Sequence, residues 1–205
     1  MAAPSPRPII MVSSSVYGIE PLLNQIHGIL SGYGYEVWMS HAGTMPVDPR
    51  ISNFDNCLLA AERCSLFLGI ITGRYGSGQP NGRPSITQQE MDRAISIDKP
   101  RWFLVHHDVV VARQLLQQYR FTTRHQPPRP RTSFRFKRTP VLEDIRVLDM
   151  YELAMRHDVA NLDDRRGNWV QQYIQDEDVF RYLDAQFSNV ETIQGILSPP
   201  EGGLP

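Results

Sequence analysis

The chain has 205 residues, 41% hydrophobic, 21% charged and 9% aromatic, and a formal net charge of −1. This is the make-up of an ordinary soluble globular domain, and it excludes disordered, collagen-like and coiled-coil chains. A chain of this length buries roughly 70% of the surface its unfolded form exposes, so its core requires neither disulfides nor a metal. Residues 8–13 form a short apolar run halted by Ser13, Ser14 and Ser15, which predicts a first strand. Residues 19–31 place Ile19, Leu22, Leu23, Ile26, Ile29 and Leu30 at helical spacing, and Gly32 and Gly34 end that helix. A second strand is predicted over 35–40, then a second helix over 52–63 with Ser52 as cap and Phe54, Cys57, Leu58 and Ala61 on one face. Residues 65–71 show no polar alternation after Ser65, the pattern of a central strand covered by helices on both faces.

A loop over 72–84, dense in glycine and proline, leads to a third helix over 86–97 with Met91, Ala94 and Ile95 inward. Loops this long in compact domains are more often functional than neutral. A fourth strand is predicted over 101–106 and a fourth helix over 109–118. Residues 120–140 are rich in proline and arginine without periodicity, an excursion from the fold. A fifth strand over 145–150 follows, then a helical stretch from Tyr151, a polar turn over 163–168, a closing helix over 169–187 and a tail over 189–205. Strands alternating with helices imply an α/β three-layer sandwich, a mainly parallel five-stranded sheet with helices on both faces, forming a single domain over 1–205 with its core in 8–118. Such sheets bind ligands outside the carboxyl ends of their strands, here 13–17, 41–44, 72–85 and 106–108.

The near-zero net charge conceals a segregation. Residues 1–108 carry 8 basic and 9 acidic side chains, residues 109–140 carry 8 basic and no acidic, and residues 141–205 carry 5 basic and 13 acidic. The basic block from Arg113 to Arg138 interleaves Phe121, His125, Phe134 and Phe136, a pattern used for single-stranded nucleic acid, and equally a surface that meets the acidic tail or a protein partner. The pairing within the chain, or with a protein, is the preferred reading. Two cysteines, Cys57 and Cys64, read as core thiols, and prolines with an arginine stand where a signal peptide needs an apolar stretch; the expected location is the cytoplasm. The longest apolar run falls far short of the roughly 20 residues that span a bilayer, so no membrane partner is expected.

The densest constellation of candidate residues surrounds the 72–84 loop. Gly73, Gly76, Gly78 and Gly82 let backbone approach a ligand, Arg74 suits a phosphate or carboxylate, and Ser85 or Thr87 caps a helix whose N-terminus favours an anion. Glu90 lies one turn into that helix, where it either meets a ligand or compensates the helix dipole. Ser13, Ser14 and Ser15 either line the same pocket or cap the following helix. Trp38 and His41 either stack on a base or belong to the core. His106 and His107 are adjacent on a strand and so point to opposite faces, and neither a metal nor a required cofactor is expected.

Three segments carry a resemblance: 12–15, the run 64–76 from Cys64 to Gly76, and Ser85-Ile86-Thr87-Gln88-Gln89-Glu90 followed by Ala94. Over residues 8–108 they resemble the TIR-like domain-of-unknown-function family, a module found at the N-termini of NACHT-type NTPase signalling proteins and alone in bacteria. The resemblance implies a flavodoxin/TIR-like sandwich and a role in bacterial defence or stress signalling. Thr87-Gln88-Gln89-Glu90 with Ala94 is also distantly similar to the Thr-x-x-Glu-x-x-x-Ala pattern of nucleoside deoxyribosyltransferases, and TIR domains that cleave NAD likewise use a glutamate. Pro84, Ser85 and Ile86 replace the aspartate and glycine expected before that threonine, which counts against deoxyribosyl transfer. The resemblance implies a nucleotide-binding protein that cleaves or transfers at the N-glycosidic bond of NAD or a related nucleotide. Glu90 would be its catalytic carboxylate, and Ser13, Ser14, Ser15, Thr72, Arg74, Tyr75, Gly76, Ser85 and Thr87 its ligand-binding residues. Self-assembly or a protein partner is implied with it, and the alternative is a non-catalytic nucleotide-sensing or interaction module.

Overall fold

A computed structural model describes residues 7–77, 83–122, 129–156, 159, 161–164 and 167–198. In chain order the elements are β1 (Ile9–Ser14), α1 (Glu20–Tyr33), β2 (Glu36–Trp38), α2 (Asn53–Arg63), β3 (Leu66–Ile71), α3 (Ile86–Ser96), β4 (Arg101–His106) and α4 (His107–Arg120). There follow β5 (Phe121–Thr122), β6 (Arg129–Pro130), α5 (Arg146–Ala154), β7 (Asn168–Tyr173), α6 (Asp176–Phe187) and α7 (Val190–Leu197). Five strands form a sheet in the order β2-β1-β3-β4-β7, with every neighbouring pair parallel. This is the doubly wound order whose direction of growth reverses between β1 and β3. The two-residue strands β5 and β6 make a separate antiparallel ribbon inside the basic segment.

The predicted α/β sandwich is present, with β3 at the centre of the sheet and buried along its whole length. One face of the sheet packs on α1, α6 and α7, with Leu23, Ile26, Leu104, Leu183 and Phe187 at its heart. The other packs on α2, α3, α4 and α5, around Met11, Phe67, Met91, Phe103 and Val147. Gly69 has no side chain because the Phe103 ring occupies its place: a Cβ there would lie 2.6 Å from a ring carbon. Local chemistry sets the helix ends. Gly34 adopts φ +105° and closes α1 through its N–H, while Ser52 and Ser85 cap α2 and α3 by accepting the amides of Asp55 and Gln88.

The C-terminal third departs from the sequence reading in three places. Residues 145–150 are not a strand but the start of α5, because Val147, Leu148, Tyr151 and Ala154 recur at helical spacing and bury one face against β3 and β7. The fifth strand is β7, inside the predicted helix 169–187; it pairs residue for residue with β4, from Arg101 opposite Asn168 to His106 opposite Tyr173. The predicted tail contains α7, whose Ile193 is buried; residues 199–205 lie outside the described residues, as do Gly78, Gly82 and His125. Helix α4 also starts earlier than predicted, so His107 opens a helix rather than extending a strand.

The basic block meets the acidic tail. Arg120, with a side chain only 8% exposed, pairs with Asp149 and, at 3.3 Å, with Glu152; Arg113 reaches the same Glu152 at 3.3 Å and Arg138 reaches Glu143 at 3.3 Å. The pairs of Arg113 and Arg120 fasten α4 to α5, and that of Arg138 joins the segment after α4 to Glu143 just before α5. Arg120→Ala is expected to lower stability by about 2 kcal/mol, less than the roughly 3–5 kcal/mol of a fully buried pair because Asp149 stays half in water. Urea unfolding of the two proteins measures the difference.

Candidate functional site

Helix α3 turns Thr87, Glu90, Met91 and Ala94 inward, positions i, i+3, i+4 and i+7 of one stripe. A carboxylate thereby enters an otherwise apolar layer. Glu90 is 4% exposed. The helix has no acidic residue in its first turn, so Glu90 does not serve to compensate its dipole. Its partner is at the carboxyl end of β1, where the Ser13 hydroxyl donates to Oε2 of Glu90. The Cys57 thiol, brought by α2, donates to the same carboxyl. Burial pushes the Glu90 carboxyl up to about 7, and the two hydrogen bonds hold it from rising further. Burial and the neighbouring carboxylate push the Cys57 thiol up to about 12, so it stays protonated and remains a donor. The reading of Cys57 as a plain core thiol therefore misses a polar role.

Above this pair the β1–α1 and β3–α3 loops close on each other at the switch in strand order. Ser15 Oγ and Thr72 Oγ1 lie 3.1 Å apart, Ser15 Oγ donates to the Arg74 carbonyl at 3.0 Å, and the Arg74 amide donates to Thr72 Oγ1 at 3.2 Å. Gly76 fits between Ser15 and Thr87 with φ +81°; a Cβ would sit 3.3 Å from each. Tyr75 turns into the protein, where its hydroxyl donates to Gln88 Oε1 at 2.5 Å and accepts the Ser85 amide at 3.1 Å. Tyr75 and Ser85 are thus ties between the loop and α3. Ser14 is half-buried, its hydroxyl on the Ser15 carbonyl at 3.1 Å. The chain from Thr139 to Arg146 straps this loop down. Glu143 donates its amide to the Gly73 carbonyl at 2.8 Å and accepts the Tyr75 amide at 3.1 Å, while the Arg146 guanidinium lies 4.1 Å from the centre of the Tyr75 ring.

The open space is elsewhere on the same edge. A cleft of about 370 Å³ is walled by Thr72, Gly73 and Arg74 together with Tyr17, His106, Asp108, Val141 and Tyr173; Ser13 and Glu90 are not among its walls. The structure therefore splits the predicted residues into three groups. Ser13, Thr87 and Glu90 form a buried centre, Thr72 and Arg74 reach the cleft, and Ser15, Tyr75, Gly76 and Ser85 hold the partition between them. Tyr17, Asp108 and Tyr173 were not among the predicted site residues; the strand-end segments 13–17 and 106–108 pointed toward the first two, and nothing pointed toward Tyr173. Trp38 sits in the core with its Nε1 on Glu36 at 2.7 Å, and His41 is half-buried with Nε2 unpartnered among the described residues. No group of three His, Cys, Asp or Glu side chains among the described residues has the geometry to hold a metal ion, and no described helix is long and apolar enough to cross a membrane.

The raised Glu90 carboxyl fixes a stability relation. Its folded value of about 7 exceeds the ordinary 4.5, so the fold favours the protonated form; the charge costs nothing below about pH 4.5 and its full amount above about pH 7. The cost is about 3 kcal/mol at 1.36 kcal/mol per pH unit. Glu90→Gln is therefore expected to raise the melting temperature at pH 8 and to change it little at pH 4.5, read by calorimetry at the two pH values.

Among curated proteins no sequence matches this chain. Its fold is similar to that of a Clostridium botulinum CMP N-glycosidase at 12% identity, over 87% of this chain and 98% of that one, with a TM-score of 0.46. Residues 9–146 match the family model described as Domain of unknown function (DUF4062), and since that span is more than half of the chain, the protein belongs to the DUF4062 family.

Proposed function

We propose that this protein binds a nucleotide at the carboxyl edge of its sheet and cleaves or transfers at its N-glycosidic bond, with NAD or a related nucleotide as substrate. The observation that carries this reading is the buried Ser13–Glu90 pair at the end of β1, beside the switch in strand order. Breaking a bond between a sugar's anomeric carbon and a base nitrogen leaves the bonding pair on the base and positive charge on the sugar ring. A carboxylate next to that carbon stabilises or captures the charge, and water or an acceptor hydroxyl then completes the exchange and releases a proton. Glu90 suits the role because it is buried among apolar side chains and its titration falls near neutral pH. The ribose reaches it when the contacts of Ser15, Thr72 and Gly76 open. The sequence resemblance adds bacterial defence or stress signalling as the setting.

A second reading, a non-catalytic nucleotide-sensing or adaptor module, is favoured by one observation: Glu90 faces Ser13 and Cys57 rather than the open cleft. Incubating the purified protein with NAD and other nucleotides separates the two by chromatography of the products. The glycosidase reading expects base release that falls about 10²-fold or more in Glu90→Gln; base release untouched by that substitution removes Glu90 from the mechanism, and intact nucleotide recovered with the protein favours the sensor.

The pH profile gives a further prediction. Activity needs the ionised carboxylate, so it is expected to rise with pH through about 7. Ser13→Ala removes a donor to the ionised form and should move this rise to higher pH, a shift that simple loss of packing does not produce.

A further inference from the structure

The open cleft is built from four elements, and its parts differ in chemistry. Tyr17, on the loop between β1 and α1, leaves its ring 80% exposed at the mouth. Arg74 is the single cationic side chain among its walls, and no hydrogen bond or ion pair is found for its guanidinium among the described residues. At the end of β4 the Asp108 amide donates to His106 Nδ1 at 3.3 Å, which makes that nitrogen an acceptor and leaves the proton on Nε2. The Asp108 carboxylate lies 3.5 Å from the same Nδ1 and remains half-exposed. At the end of β7, Tyr173 stacks edge-on against His106, with ring centres 5.2 Å apart. Its residue is 3% exposed, and its phenol oxygen is buried without a hydrogen-bond partner among the described residues. Burying a hydroxyl without a partner costs about 1–3 kcal/mol, so a wall that carries one is short of a ligand.

Helices α1, α4 and α6 all begin at this cleft, through Ile19, His106 and Asp176. The amides just before α1 and α6 are already engaged, since Glu20 accepts the Gly18 amide at 2.9 Å and Asp178 accepts those of Ile174 and Gln175 at 3.0 and 3.2 Å, and in the first turn of α4 the Asp108 amide is taken by His106. The cationic side chain that an anion in the cleft meets is Arg74. Asp108 and Asp176 supply acceptors for hydroxyl groups, Tyr173 and His106 supply donors, and Tyr17 with Val141 supplies a flat apolar surface. A ligand that combines one anionic group, sugar hydroxyls and an aromatic ring matches that set of groups, and about 370 Å³ lies in the range of small-ligand pockets.

We infer that this cleft, bounded by Arg74, Tyr17, His106, Asp108 and Tyr173, is the recognition site for a nucleoside 5′-monophosphate unit, with the phosphate on Arg74, the ribose hydroxyls on Asp108 and Asp176, and the base on Tyr17. It rests on the nucleotide reading proposed above and extends it to residues outside the Glu90 centre. The Ser15–Thr72 contact is then the partition that a substrate held in the cleft must displace to bring its anomeric carbon to Glu90.

Isothermal titration of the full chain with the four ribonucleoside 5′-monophosphates, the matching nucleosides and inorganic phosphate tests it. The tightest monophosphate is expected to lose about 10-fold or more in affinity on Arg74→Ala, with its nucleoside changed by less than about 2-fold. Tyr17→Ala should weaken both, and Tyr173→Phe should weaken both less, each variant being checked for an unchanged melting profile. The inference is overturned if the folded wild-type protein binds none of the monophosphates at millimolar concentration, or if Arg74→Ala and Tyr17→Ala bind them as the wild type does. Failure of the glycosidase reading looks different: monophosphates bind with this dependence on Arg74, yet no nucleotide loses its base. Conversely, Glu90-dependent cleavage with a KM indifferent to Arg74 and Tyr17 retains the glycosidase and removes the cleft assignment.

Discussion

A carboxylate held inside the layer between α3 and the sheet is the constraint around which the edge is organised. An isolated charge there would be expelled or neutralised, and the chain supports it with two short donors from separate elements, the Ser13 hydroxyl at the end of β1 and the Cys57 thiol on α2. Both donors have to arrive from fixed backbone. That requirement fits a β1 that ends on serines and an α2 that packs closely on α3. An apolar residue at position 90 would pack with less strain; the stored cost of the charge is of the kind that functional sites carry.

The two halves of the edge differ in rigidity for physical reasons. The partition formed by Ser15, Thr72 and Gly76 is made of hydroxyl and backbone contacts with little apolar area, the sort of contact that opens locally without unfolding the core. It is held from outside by the strap, where Glu143 grips Gly73 and Tyr75, and the strap is itself tied to the helical layer through Arg146 and the α5 pairs with Arg113 and Arg120. The charge segregation of the sequence thus has a structural meaning: the basic and acidic blocks meet where α4 packs on α5 and where Arg138 pairs with Glu143 of the strap.

Sequence spacing made the first four strands and first four helices legible because each is a buried run or a one-sided stripe. The fifth strand was not legible. Trp169, Gln171 and Gln172 are exposed along an edge, and Val170 with Tyr173 fits a helical repeat as well as a strand. Residues 145–150 failed in the opposite direction, since Ile145 and Val147 suggest a strand until Tyr151 and Ala154 are included in the same period. At the candidate site, the threonine–glutamate spacing singled out Glu90, but the inward stripe read from the sequence was Met91, Ala94 and Ile95, and the burial of Glu90 beside Met91 emerged only from the packing of α3. Its neighbours across the fold had no local signal: Cys57 reads as a small apolar residue, and Tyr173 was hidden by the misassignment of its strand.

The late position of β7 bears on how the molecule assembles during synthesis. The stretch that defines the family, residues 9–146, contains four of the five strands, and β4 pairs with a strand that lies 67 residues further along at Arg101 and Asn168. A nascent chain that has completed everything up to α5 therefore still presents the outer backbone of β4 without its partner, an open template for misassociation. Closing it is a long-range event with a correspondingly large loop to order, so the rate at which this fold becomes safe from aggregation is set by its least sequence-conspicuous strand.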